Sequence, residues 1–310
     1  MFPVLQVPDQ AAELPEQMGT KYKFWYQDEH LGLSLFKEGR PNTGENWAEK
    51  LACELAGALG MPHAYYELAT WRDKCGTVTP SLVGEGERIV HGNEVLAVVH
   101  SGNNRVAARE RHRQHTITAV MSYLRAGSGN RSIRPPLGFD PTDHISSPLD
   151  VFVGYLMFDV WIGNQDRHDQ NWGVSRSAAN QEVRLLPSYD HGSSLNRNEA
   201  DHVLTERLTT RDIGRHISTH ARKARSALFP RTEESNTKAL LTSEAFEYAA
   251  RLRPKAAREW IERLAAVDDE RVAGTIEAMP EAWMSDAAKR FVQEYLRLNR
   301  LHILGLDWKK

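Results

Sequence analysis

Two patterns of apolar spacing divide the chain. Near its start, KYKFWYQ (21–27) and LGLSLFK (31–37) alternate apolar and polar side chains. That is the two-residue period of a strand with one buried face. The polar DEH between them predicts a hairpin. After the loop EGRPNTGE the period lengthens: Trp47, Leu51, Leu55 and Leu59 recur at helical spacing. A helix is expected from Asn42 or Thr43, with Glu45 placed to close a capping box and Gly60 and Pro62 to end it. CGTVTPSLVG (75–84) reads as another short strand.

From Asn93 onward helical spacing dominates, with helices expected over 104–125, 148–161, 237–252, 255–267 and 285–303. The glycine-, serine- and proline-rich AGSGNRSIRPPLGFDPT is a loop, and LLPSYD (185–190) a lone strand among the helices. No internal repeat or low-complexity tract interrupts the pattern. The expectation is an α+β chain of two lobes: a small β-rich lobe over 1–92 and a larger helical lobe over 93–310.

Composition narrows this little. A hydrophobic share of 41% and a charged share of 26% are ordinary for a globular protein of 310 residues. The net charge of −2 argues against a dedicated nucleic-acid binder, so no direct DNA binding is expected. The basic run RVAARERHRQH (105–115) reads as a solvated helix face. Cys53 and Cys75 lack metal or redox spacing and are expected as free thiols in a reducing compartment. The opening MFPVLQVPDQAAEL has no basic segment followed by an apolar one, so no secretory signal is read. The most apolar segment, 149–162, is too short to span a bilayer and carries Asp150 and Asp159. A cytoplasmic protein without membrane contact is expected.

The chemistry concentrates in GYLMFDVWIGNQDRHDQNWG (154–173). An apolar run stops at Gly163 and is followed by Asn164, Asp166, Arg167, His168, Asp169 and Asn171. Phosphoryl transfer needs a carboxylate to position the attacking hydroxyl and oxygen ligands for magnesium, and protein kinases supply both from a D-x-x-x-x-N loop. Asp166 and Asn171 have that spacing. So do Asp159 and Asn164, but Asp159 lies inside the apolar run and reads as a support residue. Asp190, in LLPSYDHGSSL, ends an apolar stretch from which a second metal ligand could project into a cleft.

GNQDRHDQNWG and YDHGSS resemble the catalytic and metal-binding motifs of the HipA-like serine/threonine kinase family, which includes the HipA toxin and shorter CtkA-type kinases. NWAEKLACELAGALGMPHAYYEL resembles the family's helix-plus-strand segment. The resemblance implies a bilobal, protein-kinase-like fold, ATP and Mg2+ as cofactors, Asp166 as the catalytic aspartate, and Asn171 and Asp190 as metal ligands. His168 matches D-x-H-x-x-N, either contacting phosphate or bonded within its loop. Arg167 would pair with a carboxylate or with a phosphorylated loop.

A kinase also needs a cation on the nucleotide phosphates and a carboxylate to orient it. Lys37, ending LGLSLFK, is the candidate, with Lys21 and Lys23 as rivals. Glu49 on the next helix is the candidate carboxylate, sharing that helix with Glu45 and Glu54. Backbone N–H groups at Gly19 and Thr20 would cradle phosphate. One glycine stands there in place of a repeated-glycine loop, a departure the HipA-like family shares. The Val83 backbone, in the hinge around 81–84, would carry adenine. The chain starts almost at this phosphate loop, which aligns it with the shorter family members.

The expected function is an ATP- and Mg2+-dependent serine/threonine protein kinase, with a soluble protein acceptor and a toxin's role beside a helix-turn-helix antitoxin. The alternatives are a lipid or small-molecule kinase, since phosphatidylinositol kinases resemble the same D-R-H-x-x-N motif, and a catalytically silent kinase-fold interaction module. The mixed charges after Asp190 favour a protein over a bilayer, although RHISTHARKAR (215–225) is basic.

Overall fold

Two adjacent strands, β3 (Lys23–Asp28) and β4 (Gly32–Glu38), pair antiparallel in the register Lys23↔Lys37 to Asp28↔Gly32. Their alternation buries Phe24, Tyr26 and Phe36 in one cluster with Trp71 and Val78. The Asp28 carboxylate accepts the His30 and Leu31 N–H groups at 2.9 and 3.0 Å, which shapes the turn. The computed structural model describes residues 1–12, 14–15, 22–99, 114–126, 132–230 and 237–308.

The hairpin lies in a six-stranded sheet that also contains β1 (Val4–Gln6), β2 (Leu14–Pro15), β5 (Glu67–Trp71) and β6 (Lys74–Pro80), in the order β1-β5-β6-β4-β3-β2. β1 joins it in parallel, Val4 opposite Leu68. Helix α1 (Glu45–Ala58) packs on this sheet and buries Leu51, Ala52 and Leu55. It starts later than the sequence predicts. Asn42 takes a positive φ of 58°, and the Thr43 hydroxyl donates back to the Arg40 carbonyl at 2.8 Å. The Glu45 carboxylate is engaged by Arg40 and Arg197, so no capping box forms and Gly44 is the N-cap.

A second sheet follows the order β7-β9-β10-β8, from β7 (Glu87–His91), β8 (Ile133–Arg134), β9 (Gly173–Ser177) and β10 (Val183–Leu185). The lone strand expected over 185–190 is corrected here. The strand is Val183–Leu185, and it has partners on both sides. Pro187 has no N–H for a ladder, so pairing stops before it.

Helix α4 (Pro148–Ile162) is buried at every position, as its continuous apolar run requires. Ser147 and Asp150 form a capping box, and Pro148 occupies the first turn. Arg253 binds the Asp150 carboxylate through two hydrogen bonds of 2.6 and 3.0 Å. Around α4 pack α3 (Ile117–Ala126), α7 (Thr242–Leu252), α8 (Pro254–Ala266) and α10 (Asp286–Leu304). Four helices were not anticipated: α2 (Gly92–Val99), α5 (Asp201–Thr209), α6 (Ile217–His220) and α9 (Asp269–Glu277). Of the helix expected over 104–125, residues 104–113 lie outside the described residues, and the helix observed in the remainder, α3, begins at Ile117.

One buried cluster runs from Leu51 and Leu55 of α1 to Phe152, Tyr155 and Phe158 of α4, so the first sheet's helix and the helices around α4 share a core. Cys53 is buried and Cys75 exposed, both as free thiols. Among the described residues no helix is long and apolar enough to cross a membrane.

Candidate active site

Helix α4 ends at Gly163, whose φ of +64° closes the helix in the left-handed conformation. A side chain there would also run into the Tyr295 hydroxyl, so glycine is required twice over. One turn earlier, Asp159 anchors the loop that follows. Arg167 donates to both its oxygens, Nε to Oδ2 at 2.5 Å and Nη2 to Oδ1 at 2.7 Å, and Asn164 adds a third bond at 2.8 Å. Both charges are buried, at 1% and 3% exposure, in the two-pronged geometry that makes such a pair tolerable away from water. Arg167 also donates to the Ser188 hydroxyl at 2.9 Å and the Asn171 carbonyl at 3.3 Å. Its partner is therefore the Asp159 carboxylate.

With Arg167 fixed inward, its neighbour Asp166 turns outward, its side chain 46% exposed. The Asp166 backbone is held on both sides. Its N–H donates to Asn164 Oδ1 at 3.1 Å, and its carbonyl accepts Asn171 Nδ2 at 2.6 Å and the His168 N–H at 2.7 Å. Its Oδ2 accepts the Ser193 hydroxyl at 3.0 Å. His168 Nδ1 accepts the Gln170 N–H, which leaves the ring proton on Nε2, 3.8 Å from Asp166 Oδ1. His168 is thus bonded within its loop and also faces the carboxylate. A cavity of about 410 Å³ opens beside Asp166, lined by Gln165, Ser193, Ser194, Asn196, Arg197, Asn198 and Glu199.

The second carboxylate arrives from the other sheet's side. Asp190 has a left-handed φ of 56°, and its N–H donates to the buried Tyr66 hydroxyl at 3.2 Å. Its Oδ1 lies 2.5 Å from Lys37 Nζ, at the end of β4. Glu49 of α1 grips the residues just after Asp190. Its two oxygens accept the His191 and Gly192 N–H groups at 2.7 and 2.9 Å. A Cβ at Gly192 would stand 3.0 Å from Glu49 Oε2, so a side chain there would press the carboxylate back by a few tenths of an ångström.

Electrostatics follow from this crowding. Burial first, and the Asp190 charge second, push the Glu49 carboxyl up to about 7, against the pull of Lys37. Burial opposes the Lys37 charge, but Asp190 and then Glu49 outweigh it and raise its pKa. Burial, then Arg167, hold His191 well below the usual imidazole range, so it is neutral, with Nε2 2.7 Å from the Ser188 hydroxyl.

The Glu49 shift has a measurable sign. Between its ordinary value of 4.5 and about 7 the folded chain holds a proton that the unfolded chain has released. Its contribution is therefore fully present at the acid end of that window and is lost as pH rises through 7. Glu49→Gln should flatten the fall in melting temperature across the window. An identical slope in both proteins would show that Glu49 titrates normally.

Lys37, Asp166, Asn171 and Asp190 thus belong to one region, joined through Ser193, with His168 at its edge. Glu49 lies beside them, but it is bonded to the backbone after Asp190, and Lys37 is paired with Asp190. Val83 sits between β6 and β7, and its carbonyl accepts the Ser81 hydroxyl at 2.8 Å. Gly19 and Thr20, and with them the rival Lys21, lie outside the described residues. Sequence reasoning missed Ser193 and Arg197 as site residues and held Glu45 only as a helix cap and a rival to Glu49. For Glu45 the available signal was its spacing one turn before Glu49 on the same helix face.

No protein-family model matches the chain. It is similar to the serine/threonine-protein kinase CtkA of Helicobacter pylori, with 22% identity over 200 residues, which are 61% of this chain and 54% of that protein. The chain therefore spans about half the length of this curated relative. Among solved structures, the Helicobacter pylori proinflammatory kinase CtkA superimposes with a TM-score of 0.70 at 18% identity, covering 98% of this chain and all of that one. A chain of the Shewanella oneidensis toxin–antitoxin complex of HipA, HipB and operator DNA gives a TM-score of 0.56 at 12% identity, covering 94% of this chain and 65% of that one. Mixed sheets in the N-terminal part, helices in the C-terminal part and these likenesses agree: the chain has the bilobal kinase fold of the HipA-like, CtkA-type proteins.

Proposed function

We propose that the chain is an ATP- and Mg2+-dependent serine/threonine protein kinase of HipA-like type, with residues 1–92 as its nucleotide-phosphate lobe and 93–310 as its catalytic lobe. The observation that carries this is the meeting of Lys37 with Asp190 at 2.5 Å while Ser193, three residues on, touches Asp166 at 3.0 Å. A cation, a carboxylate of the kind that holds a metal and an outward-facing carboxylate are thereby linked through one short loop, Asp190 to Ser193. Asp166 would accept the hydrogen of an acceptor hydroxyl as its oxygen bonds the γ-phosphorus and the bond to the leaving ADP oxygen breaks. Lys37 would turn from Asp190 to the phosphate oxygens. Asn171, whose Nδ2 donates to the Asp166 carbonyl, would offer Oδ1 to the cation, and Asp190 would be the second protein ligand.

These donors are all oxygens, which fits a hard cation. Among the described residues no group of three or more His, Cys, Asp or Glu side chains forms a metal site by itself. Magnesium would then complete its shell with phosphate oxygens and water, and would supply neutralisation of the phosphate charge. Backbone groups at Gly19 and Thr20 would cover the phosphates, and the Val83 backbone would carry adenine.

The acceptor would be serine or threonine in a soluble cytoplasmic protein. Charges beyond Asp190 are largely engaged within the chain: Glu199 with Arg207 at 3.1 Å, Glu206 with Arg215 at 2.8 Å, and Lys223 on the Gly214 carbonyl at 3.2 Å. The segment is therefore of mixed charge, with Arg222, Lys223 and Arg225 exposed beside these pairs, and such a surface suits a protein acceptor better than an anionic bilayer. A toxin's role beside a helix-turn-helix antitoxin is supported by the likeness to a chain of the HipA–HipB system.

The test is incubation with radiolabelled ATP, Mg2+ and cell lysate, in parallel with phosphoinositide vesicles. Wild type should label protein. Lys37→Ala should lose about ten- to a hundred-fold in kcat/KM for ATP, the scale of a hydrogen bond to a charged group. Labelled vesicles without labelled protein would overturn the protein-kinase reading.

A further inference from the structure

Ser193 lies between the two carboxylate loops and has a fixed hydrogen-bond polarity. Arg197 Nη2 stands 3.1 Å from its oxygen, and Asp166 Oδ2 3.0 Å. A guanidinium can only donate, so the single Ser193 hydrogen goes to Asp166. Among the described residues, Ser193 is the side chain that hydrogen-bonds this carboxylate. Arg197 is itself held: its guanidinium pairs with Glu45, the first residue of α1, with side chains 7% and 4% exposed. The backbone repeats the connection, since the Gly44 N–H donates to the Arg197 carbonyl at 2.8 Å. Leu195 and Asn196, with φ of 55° and 56°, form a left-handed turn that non-glycine residues rarely adopt. The turn is sustained by burial of Leu195 and by its N–H bond to the Ile162 carbonyl at 2.9 Å, at the end of α4.

We propose that Ser193, held by Arg197 and Glu45, is the positioning residue for the Asp166 carboxylate. A half-exposed aspartate with no bond to its oxygens rotates freely. Fixing Oδ2 leaves Oδ1 presented to the acceptor hydroxyl in one orientation. Glu45 and Glu49, one turn apart on α1, then set both carboxylate loops from one helix. Glu49 holds the backbone after Asp190, and Glu45 acts through Arg197 and Ser193 on Asp166. Displacement of α1 would loosen the metal-binding and acceptor sides together.

This inference rests on the kinase reading, and kinetics on the full chain separate the two. The probes are ATP with Mg2+, with dephosphorylated casein as acceptor and with water alone. Ser193→Ala should lower kcat by about ten- to a hundred-fold, the scale of an ångström of misplacement, while the KM for ATP and the melting temperature hold. Ser193→Thr, which restores the hydroxyl, should recover most of the loss. Glu45→Gln should lower kcat and also the melting temperature, because Arg197 loses its buried counter-charge, yet should add little to the kcat loss in the Ser193→Ala background, because one chain of contacts is broken once. If Ser193→Ala does not fold, Ser193→Cys, with a weaker donor of similar size, should show the same loss. An unchanged kcat in Ser193→Ala, with Asp166→Asn inactive, overturns the inference and leaves the kinase reading intact. Phosphate found on Ser193 in active wild type also overturns it, making Ser193 an acceptor. No ATP turnover in wild type removes the kinase reading, and this inference with it.

Discussion

Asp166→Asn should yield a folded chain that binds ATP as wild type does and transfers phosphate about a hundred to ten thousand times more slowly, the range of general-base contributions. The stability half of this expectation comes from exposure. The Asp166 side chain is 46% exposed, so its charge supports little of the fold. Its backbone keeps the loop in shape through Asn164, His168 and Asn171, and asparagine leaves those bonds in place. The binding half comes from separation of roles: Lys37, Asp190 and Asn171 are untouched. An amide oxygen can still accept the Ser193 hydroxyl but cannot take the acceptor's proton. Transfer near the wild-type rate would remove Asp166 from the base position. Expression of the same pair in a bacterial host addresses the toxin reading. Wild type should arrest growth and Asp166→Asn should not; equal arrest by both would detach any toxicity from phosphotransfer.

The parts of this site that were legible in the sequence are those fixed by local pattern. The apolar run ending at Gly163 placed α4 to within a residue, because the αL stop and the Ser147–Asp150 cap are local signals. The alternation of β3 and β4 placed Lys37 at a strand end for the same reason. What escaped depends on contacts between distant residues. β1 has three residues and no readable period, and it exists because Val4 meets Leu68 across the sheet. Glu45 looked like a capping residue because its true partner, Arg197, lies far along the chain. Ser193 was visible in YDHGSS, but its contact with Asp166 depends on a left-handed turn at leucine and asparagine, which carries no glycine to announce it. The Arg167 partner, by contrast, could have been inferred. A carboxylate embedded in an apolar helix needs a cation, and the nearest one after Asp159 in sequence is Arg167.

That pair carries the second large effect. Asp159→Asn is the same chemical change as Asp166→Asn, seven residues earlier, and the expected outcome is nearly the reverse. Arg167 is 1% exposed, and removing its counter-charge leaves a buried guanidinium with only neutral partners, the Ser188 hydroxyl, the Asn171 carbonyl and the His191 ring. Breaking such a buried pair from one side costs about 3–5 kcal/mol, because the remaining charge cannot reach water. Urea unfolding should show the loss in Asp159→Asn and almost none in Asp166→Asn. Activity should fall as well, since Arg167 also holds the Asn171 carbonyl and thus one expected metal ligand. Replacing both partners, Asp159→Asn with Arg167→Met, removes the stranded charge and should restore much of the stability. It should not restore the rate, because the loop between Asp159 and Asn171 would be held by apolar contact without the fork that sets its direction. Equal urea midpoints for wild type and Asp159→Asn would show that the pair does not anchor the loop. A double variant both stable and fully active would show that the anchor's directionality is dispensable.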